Sequence, residues 1–229
     1  MGTIVEFPSN GGVDQGYLAT PASEKGPGVV VIQEWWGLVP HIKDVCDRFA
    51  AAGFVALAPD LYHGQTTREP GDAQKLLMAM SMQQAALDMG GAVDFLRGHE
   101  AVSGGGIGVV GFCMGGGLTL ELAVQRPDAI RAAVPFYGFI LPHMQQPDWS
   151  NLTAAIQGHY AEHDDFAGLE VMRQFESQLN AQGKDVQMFL YPGTQHAFFN
   201  DARPEVYDAS ASTLAWERTL AFLRSKLDG

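Results

Sequence analysis

Cysteine is scarce in this sequence of 229 residues, which has only Cys46 and Cys113. Two cysteines are too few for a disulfide scaffold, and free thiols fit a reducing compartment. The first six residues lack the basic stretch and the apolar run of a secretory signal peptide, so the sequence predicts a cytoplasmic protein. No apolar run approaches the length of a membrane span, and we expect no membrane partner.

Positive charge is also in short supply. The chain has 14 Lys and Arg against 26 Asp and Glu, a formal net charge of −12. This balance argues against nucleic acid or an anionic membrane as a partner, and an anionic substrate would need a local group of cations. The hydrophobic content of 46% and charged content of 17% are globular values, so we expect residues 1–229 to form a single domain with a large core.

Strand and helix patterns alternate along the chain. Predicted strands span residues 28–33, 54–58, 107–110, 132–137, 154–160 and 186–191, and predicted helices span 42–52, 72–97 (with a weak point at Gly90 and Gly91), 118–123, 169–179 and 216–227. This alternation is typical of an α/β protein with a mostly parallel sheet covered on both faces. Residues 3–7 and 16–19 predict an antiparallel hairpin at the edge of the sheet.

The most informative motif is Gly-Phe-Cys-Met-Gly-Gly at residues 111–116, between a predicted strand and a predicted helix. Glycines two residues before and after Cys113 fit a nucleophile elbow, in which a strained backbone presents the nucleophile. A thiol in the first turn of a helix is favoured as the thiolate by the helix dipole. The elbow geometry also predicts that the Met114 N–H is one donor of an oxyanion hole.

Further polar candidates follow other predicted strands. Glu34 follows the first of them, Asp164 and Asp165 follow the strand at 154–160, and His196 follows the strand at 186–191. The carboxyl ends of strands in an open α/β sheet are where active-site residues collect. With Cys113 these residues give the chain order nucleophile, acid, histidine, which is the order of α/β-hydrolases.

The sequence resembles the dienelactone hydrolase family, the branch of the α/β-hydrolase fold with a cysteine nucleophile. The motifs that carry the resemblance lie at residues 33–37, 58–62, 111–116, 137–138, 158–166 and 192–198. It implies an α/β-hydrolase fold that cleaves a small-molecule carboxylic ester or lactone of the carboxymethylenebutenolide type through an acyl-enzyme. Neither a metal nor an organic cofactor is expected, and the chain would be a monomer or a small homo-oligomer. The alternatives are a general carboxylesterase or thioesterase, and a non-catalytic binding protein of the same fold.

The resemblance also implies roles for individual residues. Cys113 would be the nucleophile, His196 the base and Asp164 the acid, since the family has Phe two residues after the acid and Phe166 stands there. Glu34 matches an acidic residue that contacts the nucleophile. The second oxyanion donor would be the N–H of Trp35.

The residues that would bind substrate depart from the family pattern. Chlorocatechol-pathway members hold a substrate carboxylate with arginines, one of them four residues after the catalytic histidine, where this chain has Asn200. The cations available instead are Arg203, Arg68 and Lys75. Trp36, Tyr137, Phe198 and Asn200 are further expected to contact the substrate.

Two other motifs point to different chemistry. Residues 106–111 match the dinucleotide fingerprint G-x-G-x-x-G, but the predicted strand lies inside the motif and not before it. Residues 159–163 match the zinc motif H-x-x-E-H, which requires a helix, and this stretch continues a predicted strand. We therefore expect neither a nicotinamide dehydrogenase nor a zinc hydrolase.

Overall fold

A central eight-stranded sheet organises the computed structural model, which describes residues 1–9, 11–140 and 147–228. The strands are β1 (Thr3–Ser9), β2 (Gly12–Ala19), β3 (Gly26–Ile32), β4 (Val55–Pro59), β5 (Val102–Phe112), β6 (Ile130–Phe136), β7 (Ala155–His163) and β8 (Val186–Gln195). Their order across the sheet is β1-β2-β4-β3-β5-β6-β7-β8. The pairs from β4 through β8 are parallel, whereas the β1–β2 hairpin is antiparallel and joins β4 at one edge. The predicted sheet and its edge hairpin are confirmed.

Six helices cover both faces of the sheet in the described part of the chain. They are α1 (Pro40–Ala51), α2 (Pro70–Ala79), α3 (Met82–Gly98), α4 (Met114–Gln125), α5 (Leu169–Ala181) and α6 (Ala209–Leu227). Successive residues of β3 show the two faces: Val30 and Ile32 pack with α3 and α4, while Val29 and Val31 pack with α1 and α6. A strand buried on both sides in this way explains why β3 reads as a continuous apolar run.

The predicted helix at 72–97 is wrong in one respect, because the structure has two helices separated at Met80 and Ser81. Met80 is extended, and the Ser81 hydroxyl accepts a hydrogen bond from the Gln84 N–H at 3.3 Å, so it caps α3. The expected weak point at Gly90 and Gly91 is instead continuous helix. Gly91 packs so closely on β1 that a Cβ there would lie 2.7 Å from the Pro8 carbonyl oxygen.

The two competing motifs both lie in strands. The dinucleotide-like motif at 106–111 is part of β5, and the H-x-x-E-H stretch is the second half of β7. A strand separates the Cα atoms of His159 and His163 by about 13 Å, too far for both to bind one zinc ion. His159 is buried between Tyr191 and Thr219, to which its two ring nitrogens lie at 2.8 and 3.1 Å. None of the described helices is long and apolar enough to cross a membrane.

Candidate active site

Cys113 lies at the junction of β5 and α4, in a backbone conformation that few non-glycine residues adopt. Its φ is 55° and its ψ is −119°. The neighbouring glycines allow this turn: a Cβ on Gly111 would lie 2.1 Å from the Gly115 carbonyl oxygen, and one on Gly115 would lie 2.4 Å from the Gln33 carbonyl oxygen. Such strain persists only where the surroundings hold it, and it presents the half-buried Cys113 side chain at the carboxyl end of the sheet.

His196 and Asp164 meet across the ends of β8 and β7. The His196 Nδ1 lies 2.7 Å from the Asp164 Oδ2. The other Asp164 oxygen, Oδ1, accepts hydrogen bonds from the N–H groups of Phe166 and Ala167 at 2.8 and 2.9 Å, which fix the carboxylate. Asp165 is exposed to solvent. Of the two adjacent carboxylates, Asp164 is therefore the one positioned to orient the imidazole.

Opposing effects act on the charges of this pair. Burial favours the neutral carboxyl of Asp164, but the hydrogen bond and charge of His196, together with the two backbone donors, hold the pKa of Asp164 below its usual value. Burial likewise disfavours an imidazolium at His196. Hydrogen bonds to Asp164 and to the Cys113 side chain, and the charges of both, outweigh this and raise the pKa of His196 to about 10. The arrangement therefore favours an imidazolium between a carboxylate and the Cys113 sulfur.

Glu34 is buried and has an amide partner. Asn200 Nδ2 donates a hydrogen bond to Glu34 Oε2 at 2.7 Å, and Asn200 Oδ1 accepts one from the Ala202 N–H at 3.1 Å. The sequence predicts that Asn200 contacts the substrate directly. In the structure its side chain is committed to Glu34, because Asn200 is itself buried and both ends of its amide are used.

Aromatic side chains surround His196. The Tyr137 ring centroid lies 4.9 Å from the imidazole, and the exposed Phe166 ring lies 5.5 Å from it. Phe198 packs on Tyr137 at 5.6 Å, and both side chains are fully buried. In this structure Tyr137 packs against the imidazole and Phe198 packs behind Tyr137, and their contact with substrate stays a prediction. The ring of Phe166, two residues after Asp164, lies at the solvent side of the site.

Two backbone N–H groups at the site are available as donors. Met114 is the first residue of α4, and the first N–H groups of a helix have no acceptor within it. Trp35 lies in the turn after β3. Across the described ranges, neither N–H is paired with a main-chain or side-chain acceptor. Both retain the donor capacity that an oxyanion hole requires.

A cavity of about 430 Å³ opens beside Asn200, the amide partner of Glu34. Its lining includes four of the expected substrate-binding residues, namely Trp36, Arg68, Asn200 and Arg203. The Arg203 guanidinium lies 5.9 Å from the centroid of the Trp36 ring. Glu205 also lines the cavity and pairs with Arg203, so Arg68 is the unpaired cation among the described lining residues.

The remaining cation, Lys75, does not line this cavity. It forms an exposed ion pair with Asp72 at 2.8 Å and lines a separate surface depression, away from the two arginines of the cavity. Arg203 donates to Glu205 at 2.9 Å, whereas Arg68 forms no ion pair with any residue in the described ranges.

His41, which was not among the candidates from the sequence, also lines the cavity. It is the second residue of α1, its Nδ1 lies 3.2 Å from Asp201 Oδ1, and its buried Nε2 has no hydrogen-bond partner among the described residues. Its position directly after Pro40, at the start of the helix that follows the Glu34 loop, was the available signal.

Comparison with known proteins gives a consistent assignment. Residues 15–227 match the model of the dienelactone hydrolase family. The chain is 42% identical to the protein named "Protein usf" of Aquifex pyrophilus, over 99% of this chain and 100% of that protein. It is 37% identical, over the same shares, to the "Putative carboxymethylenebutenolidase" of Aquifex aeolicus. A crystal structure of a "Putative Dienelactone Hydrolase" from Klebsiella pneumoniae superposes with a TM-score of 0.87 at 27% identity, covering 97% of each chain.

Proposed function

Because the chain belongs to the dienelactone hydrolase family, and is thus a hydrolase of the ester and lactone type, we propose that it works through a Cys113-His196-Asp164 triad and an acyl-enzyme. The observation that carries this proposal is the 2.7 Å contact between His196 and Asp164 beside the strained elbow of Cys113. We further propose that residues 1–229 act as one catalytic domain, since the family model spans residues 15–227.

The first half-reaction opens the ester or lactone. The Cys113 sulfur, having given its proton to His196, attacks the carbonyl carbon and forms a C–S bond while the carbonyl electron pair moves to oxygen. The oxyanion then collapses, the C–O bond to the leaving oxygen breaks, and His196 returns its proton to that oxygen. In a lactone the freed hydroxyl stays attached to the acyl group.

The second half-reaction releases the acid. A water molecule gives a proton to His196 and attacks the thioester carbon. Collapse of this second tetrahedral intermediate breaks the C–S bond and leaves the thiolate and the imidazolium ready for another cycle. Asp164 holds the imidazole in one tautomer throughout and stabilises its positive charge.

The oxyanion formed in both steps needs donors that are already in place. We assign this role to the N–H groups of Met114 and Trp35, which have no acceptor in the described part of the structure. A single donor of this kind is worth roughly 3–4 kcal/mol of transition-state stabilisation. The buried Glu34 carboxylate, oriented by Asn200, is assigned to the activation of Cys113 when substrate enters.

The substrate we propose carries its own carboxylate, as in a carboxymethylenebutenolide. Support comes from Arg68 and Arg203, which line the cavity together with Trp36. A guanidinium can bind a carboxylate through two parallel, charge-assisted hydrogen bonds. The name of the Aquifex aeolicus relative refers to hydrolysis of a substrate of this class.

A hydrolysis panel tests the proposal. Dienelactone, aryl esters of graded acyl length and acyl thioesters would be assayed with wild type, Cys113→Ala and the control Cys46→Ala. We expect turnover of the lactone in wild type and Cys46→Ala, and loss of at least 10³-fold in Cys113→Ala. Faster turnover of the thioesters than of the lactone would favour the thioesterase alternative. Full activity of Cys113→Ala would refute the assignment of Cys113 as the nucleophile.

A further inference from the structure

A second cluster of titratable side chains lies away from Cys113, near the hairpin edge of the sheet. Asp14 belongs to β2, His63 to the loop that follows β4, and Asp88 to α3. One donor atom from each of the three lies within 4.8 Å of the other two. The three side chains thus come from three separate segments and converge on one point.

The two carboxylates are buried, and each is only partly satisfied. The Asp14 and Asp88 side chains are 5% and 1% exposed. Gln15 N–H donates to Asp14 Oδ1 at 2.7 Å, and the Ser9 hydroxyl donates to Asp88 Oδ1 at 2.6 Å. The Gln84 amide donates to that same Asp88 oxygen at 2.7 Å.

The second oxygen of each carboxylate, Oδ2, is buried and has no hydrogen-bond partner among the described residues. Two adjacent buried carboxylates with free oxygens are costly to keep ionised unless a cation lies between them.

His63 is the remaining donor and the accessible one. Its side chain is 54% exposed, its Nδ1 lies 3.4 Å from Asp14 Oδ1, and its Nε2 lies 3.5 Å from Asp88 Oδ2. Neither contact meets the geometry of a hydrogen bond. The half-exposed imidazole lies at the solvent side of the cluster.

We infer that Asp14, His63 and Asp88 bind one divalent transition-metal ion, Zn²⁺ or Mn²⁺. Carboxylate oxygens and an imidazole nitrogen suit both metals. Three donors about 2.0–2.2 Å from one ion lie roughly 3.3–3.8 Å from one another, so donors that lie within 4.8 Å must close by up to about 1.5 Å. The exposed His63 loop can supply that movement, and water would complete the coordination.

The cluster connects the edge of the sheet to the loop that follows β4, and this loop contacts a residue next to Cys113. Tyr62, next to His63, is buried, and its hydroxyl donates to the Met114 sulfur at 3.5 Å, directly beside Cys113. A metal at the cluster would hold the β1–β2 hairpin, α3 and this loop together. Its role is structural and is separate from the metal-free chemistry assigned to Cys113.

Metal binding can be tested without an activity assay. Chelator-treated wild type would be titrated with ZnCl₂ and with MnCl₂ in a calorimeter, and its thermal unfolding would be followed with and without each metal. We expect one ion per chain and a rise in Tm for at least one of the metals. His63→Gln should weaken binding at least tenfold and abolish the rise in Tm.

Two further variants sharpen the result. Asp88→Asn should also lose binding, and His163→Gln, an exposed histidine of the H-x-x-E-H stretch, should bind like wild type. Because His63 is exposed, His63→Gln is expected to fold even where Asp88→Asn does not. Absence of metal uptake in wild type would overturn the inference and leave a proton as the cluster's counterion. Equal binding in His63→Gln, or loss in His163→Gln, would likewise overturn it.

Discussion

Cys113 and Cys46 have the same chemistry and opposite surroundings. Cys46 is fully buried on the inner face of α1, and burial raises the pKa of its thiol well above the usual range. Cys113 is half-buried at the elbow and has His196 as a partner. Only Cys113 combines access with a proton acceptor, which is what makes a cysteine reactive.

This contrast predicts selective alkylation. Iodoacetamide at neutral pH should modify Cys113 and leave Cys46 untouched, and hydrolysis should be lost in proportion to the modification. Peptide mass mapping over a time course would follow both sites, with Cys113→Ala as the control that should take up almost no label. Inactivation that tracks modification of Cys46 alone would contradict the nucleophile assignment.

The two neighbouring carboxylates give a matched pair of substitutions. Asp164→Asn removes the partner of His196 and should lower kcat by roughly 10²–10⁴ with little change in KM, because a wrongly held tautomer affects the chemical steps. Asp165→Asn alters an exposed side chain and should remain near wild type. Steady-state kinetics of both variants would decide between the two carboxylates. The reverse pattern would assign the role of the acid to Asp165.

The raised pKa of His196 predicts how stability changes with pH. The pKa is about 10 in the folded protein against 6.5 for the free side chain, so folding favours the protonated ring. The stabilisation by His196 is therefore fully present below pH 6.5 and is lost as the pH rises toward 10. Urea unfolding of wild type and His196→Gln should show a stability difference at pH 6 that shrinks by pH 10. A difference that grows would contradict this sign.

At the scale of elements, α3 contains two adjacent glycines at which substitution by alanine should have opposite effects on stability. A Cβ at Gly90 meets only the end of the Arg126 side chain at 3.8 Å, whereas one at Gly91 would lie 2.7 Å from the Pro8 carbonyl oxygen. Gly90→Ala should raise the free energy of unfolding by about 0.5–1 kcal/mol through helix propensity. Gly91→Ala should lower it by more than 1 kcal/mol, since α3 must move away from β1.

Thermal and urea unfolding would measure both substitutions. If both substitutions changed the free energy of unfolding equally, α3 would be able to move away from β1 at little energetic cost.

The elements that were predictable from sequence are those whose pattern is local. Val29 to Ile32 form an apolar run because β3 is buried on both faces, and the glycines around Cys113 are required by its backbone. The break at Ser81 was missed because it depends on a single cap and carries neither Gly nor Pro.

Contacts between distant segments could not be predicted in this way. Asn200 and Glu34 are 166 positions apart, and no periodicity in the sequence relates them. The convergence of Asp14, His63 and Asp88 likewise depends on how β2 and α3 pack. In contrast, Asp164 could be chosen over Asp165 because the resemblance to a family supplied the alignment.

At the scale of the whole molecule, the net charge affects how the protein binds an anionic substrate. A net charge of −12 repels an anionic substrate at long range, so the cavity arginines must provide the attraction locally. Arg68→Ala should lower kcat/KM for a carboxylated lactone at least tenfold, about 1.4 kcal/mol, and leave a neutral ester analogue unchanged. Lys75→Ala is the matched control, as this cation lies outside the cavity.

Competition kinetics with the two substrates would measure this preference directly. Equal losses on both substrates would mean that Arg68 supports the fold and does not select the carboxylate. A loss of kcat/KM for the carboxylated lactone in Lys75→Ala would show that Lys75 of α2 binds the substrate carboxylate.

The difference in exposure between Cys113 and Cys46 also affects how the protein should react with oxidants. Peroxide converts a reactive thiolate to a sulfenic acid, which a second thiol can trap as a disulfide before it is oxidised further. Cys46 is enclosed in the core under α1 and is the only other cysteine in the sequence, so the chain has no resolving thiol of its own. We therefore expect that protection of an oxidised Cys113 must come from a small thiol in solution, and that without one the oxidation proceeds to the irreversible sulfinic acid.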